Sequence, residues 1–188
     1  GDGREMSVFG NRKVAAAVRT KEDFDIALLS RVDVIFLLYS SILTMKAYVE
    51  KCHKAGKIIF IHMDFAEGIG KDRAGLELLK RMGVDGILTT KTNMIRPAKD
   101  LGLITVQRVF IVDSHSVDTA VESIRIAKPD VVEIMPGVLS KKIKEFAQKI
   151  STDILAGGLV EFPWEVDDAI SAGAAAVSTA DRDLWDYR

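Results

Sequence analysis

The chain has 188 residues, 48% hydrophobic and 28% charged, enough to bury the core of one compact domain. Its 26 Lys plus Arg stand against 27 Asp plus Glu, a net charge of -1 that excludes a strongly basic nucleic-acid binder and leaves only local patches for such a partner. A lone cysteine excludes an internal disulfide, and no apolar run reaches the ~18 residues of a membrane span, so a soluble cytoplasmic protein without membrane contact is expected.

Residues 1–13 open with GDGREMSVFGNR, which lacks periodicity and reads as a flexible lead-in; 14–188 read as one domain. VAAAV (14–18) is the first strand, and Thr20 with Asp23 resembles a capping box before FDIALL. VIFLL (34–38) is the second, followed by a helical stretch in which Cys52 is an ordinary helix residue. IIFIHMD (58–64) is the third, after which Asp72 can cap RAGLELLKRM. GILTT (86–90) precedes the weakest helix, KTNMIRPAKDLG, where Pro97 is tolerable only near the first turn. ITVQRVFIVD (104–113) and VVEIMPG (131–137) follow. Next comes the amphipathic VLSKKIKEFAQKI, with Ile143, Phe146, Ala147 and Ile150 at i, i+3, i+4 and i+7. DILAGGL (153–159), a helix with Pro163 in its first turn, and AAVSTA (175–180) complete the series. Gly56, Gly83, Gly102 and Gly173 each stand where a helix should stop.

Strand, helix and short turn repeated about eight times is the pattern of a (β/α) barrel or a doubly wound sheet. Eight apolar runs and no sign of a second domain favour an α/β fold built as a compact barrel of seven to eight parallel strands. Such barrels usually need at least ~200 residues, so trimmed or missing helices are predicted.

In a barrel, ligand chemistry belongs at the C-terminal strand ends, and the polar residues gather there. Arg19 follows the first strand. Period two places His62 and Asp64 together at the mouth, as a structural, ligand-contacting or proton-transferring pair. A metal site combining them with Glu133 has no supporting spacing, so no metal and no cofactor are expected. Lys91 could clamp an anion, form a Schiff base or lie in solvent. Arg108 lies in an apolar run and demands a partner, either Glu133 on the next strand or an anionic ligand. Gly157 and Gly158 end the seventh strand beside Ser178 and Thr179 of the eighth. That is the place where barrels hold phosphate with backbone N–H groups, although glycines there can also simply relieve crowding. No Walker loop, dinucleotide fingerprint, zinc spacing or serine elbow is present.

The stretches AAVRTKEDFDIAL, VIFLLYSSIL, AGKIIFIHMDFAEGIGKDRAGLELL, DGILTTKTNMIRPAKDLGLITVQRVFIVDS, KPDVVEIMPGV, ILAGGLV and GAAAVSTADRDLW resemble the glycerol-uptake-operon antiterminators. Together they span nearly all of residues 14–185. The resemblance implies a TIM-like barrel reused as a receptor for glycerol-3-phosphate, acting on leader mRNA without catalysis. Carried over by position, Gly157, Gly158, Ser178 and Thr179 would hold the phosphate, and Lys91 or Arg108 would add charge. His62, Asp64 and Glu133 would meet the glycerol hydroxyls, with Arg19 a lesser candidate. For RNA contact the residues themselves offer only KKIKEFAQK, whose lysines equally suit a solvated helix face. A barrel enzyme of aldolase or isomerase type, and a pseudoenzyme acting through protein partners, remain as alternatives. A homo-oligomer stays open.

Overall fold

A computed structural model of the chain describes residues 8 to 188. Eight parallel strands close into one barrel: β1 (Val14–Val18), β2 (Val34–Leu37), β3 (Ile58–His62), β4 (Gly86–Thr89), β5 (Ile104–Phe110), β6 (Val131–Met135), β7 (Asp153–Gly157) and β8 (Ala176–Thr179). Neighbours follow chain order around the ring, and β1 pairs β8 through Val14 with Val177 and Ala16 with Thr179. Seven α-helices lie between the strands: α1 (Lys21–Leu29), α2 (Met45–Lys54), α3 (Arg73–Arg81), α4 (Ile95–Asp100), α5 (Ser114–Ala127), α6 (Ser140–Lys149) and α7 (Pro163–Ala172).

The eight strands expected from the apolar runs are all present, but only the first keeps its expected bounds; the others are one to three residues shorter, the fifth ending at Phe110 rather than Asp113. The third run was predicted to continue to Asp64, but the chain turns into a 3-10 segment at Met63–Phe65. The helix starts are also as read. Thr20 Oγ1 accepts from the Asp23 N–H at 3.1 Å, Asp72 Oδ1 accepts from Gly75 at 2.9 Å, and Pro163 opens α7. Economy of length comes from two places. The helix after β4 is split into a 3-10 turn, Thr92–Met94, and the six-residue α4. After β8 a 3-10 turn, Arg182–Leu184, stands in place of an eighth α-helix, and buried Trp185 donates its indole N–H to the Thr179 carbonyl at 2.9 Å.

Strand alternation sorts the apolar residues into two cores. Ala15, Val34, Phe36, Phe60, Leu88, Val106, Val131, Leu155 and Ala176 fill the barrel interior, with the Phe36 and Phe60 rings 4.9 Å apart. Ile35, Ile59, Ile61, Ile87, Val132, Ile134 and Ile154 face outward under the helices. Residues 1–7 of the expected lead-in lie outside the described residues. Of the remainder, Phe9 is 2% exposed and packs with the interior cluster. No described helix is long and apolar enough to cross a membrane.

One layer above the interior phenylalanines, the same alternation changes chemistry. Two positions beyond Phe60, Val106, Val131, Leu155 and Ala176 stand His62, Arg108, Glu133, Gly157 and Ser178. Of this polar layer, Arg108, Glu133 and Ser178 face the barrel mouth.

Candidate functional site

A cavity of about 420 Å³ opens at the C-terminal ends of the strands. Among its walls are Arg19, Arg108, Glu133, Gly158, Ser178 and Thr179, six of the ten residues anticipated for the site. Leu159, Glu161 and Asp181 are also part of the lining.

Arg108 and Glu133 meet because the β5–β6 ladder sets them in register. Arg108 Nε donates to Glu133 Oε1 at 2.5 Å, and the side chains are 13% and 1% exposed. Of the two partners considered for Arg108, the structure supplies the carboxylate. Burial raises the Glu133 carboxyl above its ordinary range, with Arg108 and, more weakly, the charge of His62 opposing it. The pair uses Nε, so the terminal Nη groups of Arg108, which also lines the cavity, remain as donors.

The two glycines do different things. Gly157 is paired within β7, and a Cβ there would come 2.5 Å from Glu133 Oε2, so a side chain would displace the buried carboxylate. Crowding relief, the simpler of the two readings, describes Gly157. Gly158 lines the cavity at φ +82°, and Leu159 follows at φ +61°, 70% exposed, an unusual conformation for a branched residue. The Gly137 N–H, in the β6–α6 loop, donates to the Gly157 carbonyl at 2.5 Å and to Gly158 at 3.1 Å, which fixes that turn.

The hydroxyls also divide. Thr179 faces outward, donates to the Val160 carbonyl at 3.0 Å and accepts from the Asp181 N–H at 3.0 Å, so it shapes the loop. Ser178 faces inward beside Gly157, with which it is in register, and is 4% exposed at the cavity wall.

His62, Asp64 and Lys91 do not line this cavity. His62 is 3% exposed, packs edge-on to Phe65 with ring centroids 5.0 Å apart, and its Nε2 has no hydrogen-bond partner among the described residues. Its nearest acid is Asp64 Oδ2 at 3.7 Å, beyond hydrogen-bond reach. The shared face expected for the two residues fails because the strand ends between them. Asp64 instead accepts from Thr89 Oγ1 at 2.6 Å, the Thr90 N–H at 3.1 Å and the Thr90 hydroxyl, stapling the 3-10 segment to the end of β4. Burial alone would raise its carboxyl, but the contacts from His62, Thr89 and Thr90 outweigh that and hold it well below the usual carboxylate range. Lys91 is exposed on the β4–α4 connection. Among the described residues no group of three His, Cys, Asp or Glu side chains could hold a metal ion.

Glu161 and Asp181 escaped the sequence reading, since each looks like a solvated loop acid. The mouth thus combines Arg19 and Arg108 with Glu133, Glu161 and Asp181. Such a lining suits a small ligand with one anionic end and hydroxyls at the other, and its volume falls in the ~300–1,000 Å³ range of small-molecule sites.

Comparison with known proteins agrees with this architecture. A curated relative, the uncharacterised protein YgcP of Escherichia coli (strain K12), is 35% identical over 173 residues, 92% of this chain and 91% of that protein. The crystal structure of the glycerol uptake operon antiterminator regulatory protein from Listeria monocytogenes superposes with a TM-score of 0.92. It is 28% identical and covers 98% of this chain and 100% of that one. An antiterminator-related protein from Thermotoga maritima superposes with a TM-score of 0.83 at 32% identity, covering 93% and 98%. Aldolases and a decarboxylase superpose at 10 to 17% identity, a likeness of fold alone. The family model for the glycerol-3-phosphate responsive antiterminator matches residues 14–185. The chain therefore belongs to the glycerol-3-phosphate responsive antiterminator family.

Proposed function

We propose that this protein is a cytoplasmic transcription antiterminator that binds glycerol-3-phosphate in the barrel mouth and acts on the leader mRNA of glycerol-utilisation genes. The family match over residues 14–185 carries the reading. The site is compatible with it. Arg108, Ser178 and the backbone at Gly158 converge at the β7 and β8 ends, where a barrel receives phosphate, and Arg19 adds a second cation. Glu133 and the rim acids Glu161 and Asp181 are acceptors for glycerol hydroxyls.

Binding without turnover is the second part of the proposal. Among the described residues that line the mouth there is no lysine to form a Schiff base, and the Asp64 carboxylate is engaged by two threonines. Retention of leader RNA on the protein, measured with and without glycerol-3-phosphate over a salt series, tests the reading. Ligand-dependent retention with the ligand recovered unchanged is expected. Conversion of the ligand would instead favour a barrel enzyme, and RNA binding indifferent to ligand would remove the switch.

A further inference from the structure

We infer that a groove beside the mouth, between the β4–α4 connection and α5, is the subsite for an unpaired nucleobase of the RNA, an inference that rests on the antiterminator reading above. The groove has a volume of about 530 Å³ and is distinct from the effector cavity except at Arg108, which lines both. Its floor is Gln107. Because Arg108 points into the barrel, its neighbour Gln107 points outward beneath α5, where it is 2% exposed. The Gln107 amide donates from Nε2 to Ser123 Oγ at 2.8 Å, and Ser123 in turn contacts Thr92 Oγ1 at 3.2 Å. Oε1 has no partner. Folded proteins rarely leave a buried amide oxygen unsatisfied, and the missing partner must present an N–H or O–H.

Above the amide the walls are of two kinds. One is apolar and open: Phe110 is 55% exposed and Val112 83% exposed. The other carries the hydroxyls of Thr90 and Thr119, which donate to Asp64 and to the His115 carbonyl and so present their oxygen lone pairs to an N–H-bearing edge. An aromatic face beside hydrogen-bonding groups that read a flat, N–H-bearing edge is how proteins hold single-stranded bases. The α5 N-terminus also borders the groove, but Asp113 caps it by accepting from Ser116 at 2.8 Å. With that helix end already capped by a carboxylate, it is not open to a phosphate, and the group recognised here is the base. Arg108 supplies the coupling. A phosphate that draws its Nη groups into the mouth resets the wall shared with the groove, which biases RNA binding by the ligand's preference for one arrangement.

The test uses short single-stranded RNA enriched from a randomised pool by retention on the wild-type protein with glycerol-3-phosphate. Phe110→Ala removes an exposed ring outside the effector cavity, so thermal stability and ligand binding stay at wild-type values while RNA affinity falls roughly five- to 150-fold. Gln107→Leu lowers RNA affinity as well, and 4-thiouridine in the RNA photo-crosslinks to the segment 109–120. Unchanged RNA affinity in Phe110→Ala, or crosslinks confined to other surfaces, overturns the subsite and leaves the antiterminator reading standing. If no RNA is retained, that reading falls instead, and titration with uridine and adenosine monophosphates decides the groove. Binding lost in Phe110→Ala then assigns it to free nucleotides, and no binding overturns it.

Discussion

Arg108→Met strips the cation from a carboxylate that is 1% exposed. Removing one member of a buried pair costs about 3–5 kcal/mol, because the survivor is left charged in a poor solvent. Arg108 is itself 13% exposed, so water reaches one side of the pair and the lower end, about 3 kcal/mol, is expected. The loss carries a pH signature. Burial already raises the Glu133 carboxyl, and Arg108 is the largest influence opposing that rise, so its removal lifts the folded value further. A carboxyl whose folded pKa lies above its unfolded one binds more protons when folded. Its stability contribution is intact below the ordinary carboxyl range and is lost as pH rises through the raised folded value. Urea unfolding followed by circular dichroism should therefore show the variant furthest below wild type near about pH 7 and approaching it near about pH 4. Adding Glu133→Gln to Arg108→Met should recover most of the loss at neutral pH. A deficit below about 1 kcal/mol, or one independent of pH, would refute the buried-pair argument.

The glycine pair separates in the same assay. Gly157→Ala places a methyl against the Glu133 carboxylate and should cost about 1–3 kcal/mol, seen as a lowered Tm. Gly158→Val strains a residue at φ +82° by about 1–3 kcal/mol, but the one close contact of its Cβ is the flexible end of Met135 at 2.8 Å. Loss of ligand binding by a protein that still folds is its expected mark. Asp64→Asn tests the staple at the β4 end. The depressed Asp64 carboxyl contributes stability above the ordinary range that is lost as pH falls through its lower folded value, so the variant should be less stable at neutral pH, with a flatter acid limb in its stability profile. Cys52 is fully buried, and burial, with Asp85 adding to it, pushes its thiol up to about 12. Iodoacetamide should modify it only as fast as the protein unfolds, measured by mass spectrometry across a urea series.

The barrel was legible because β strands buried on both faces leave continuous apolar runs, and all eight runs became strands. Legibility faded where a strand ended, since nothing in HMDF marks the point at which period two yields to a 3-10 turn. The shared face expected for His62 and Asp64 at the mouth was lost there, although the two side chains stay 3.7 Å apart. The need of Arg108 for a partner was legible because an arginine among valines must be neutralised, but the choice between Glu133 and an anionic ligand was made only by the parallel register. The division of labour in the glycine pair could not, because it depends on which neighbour a missing Cβ would strike. The groove above Gln107 was hidden for a related reason. An unsatisfied amide is a property of the folded neighbourhood, and in ITVQRVF the glutamine reads only as a polar strand residue.

The central claim is that the barrel mouth recognises the phosphate of a small polyol ester through the β7 and β8 ends. Calorimetric titration of glycerol-3-phosphate, glycerol and inorganic phosphate into the wild type and Gly158→Val tests it most directly. A saturable heat for glycerol-3-phosphate, absent for glycerol and lost in the variant, is predicted. Equal binding by wild type and variant, or glycerol bound as tightly as its phosphate ester, would contradict it.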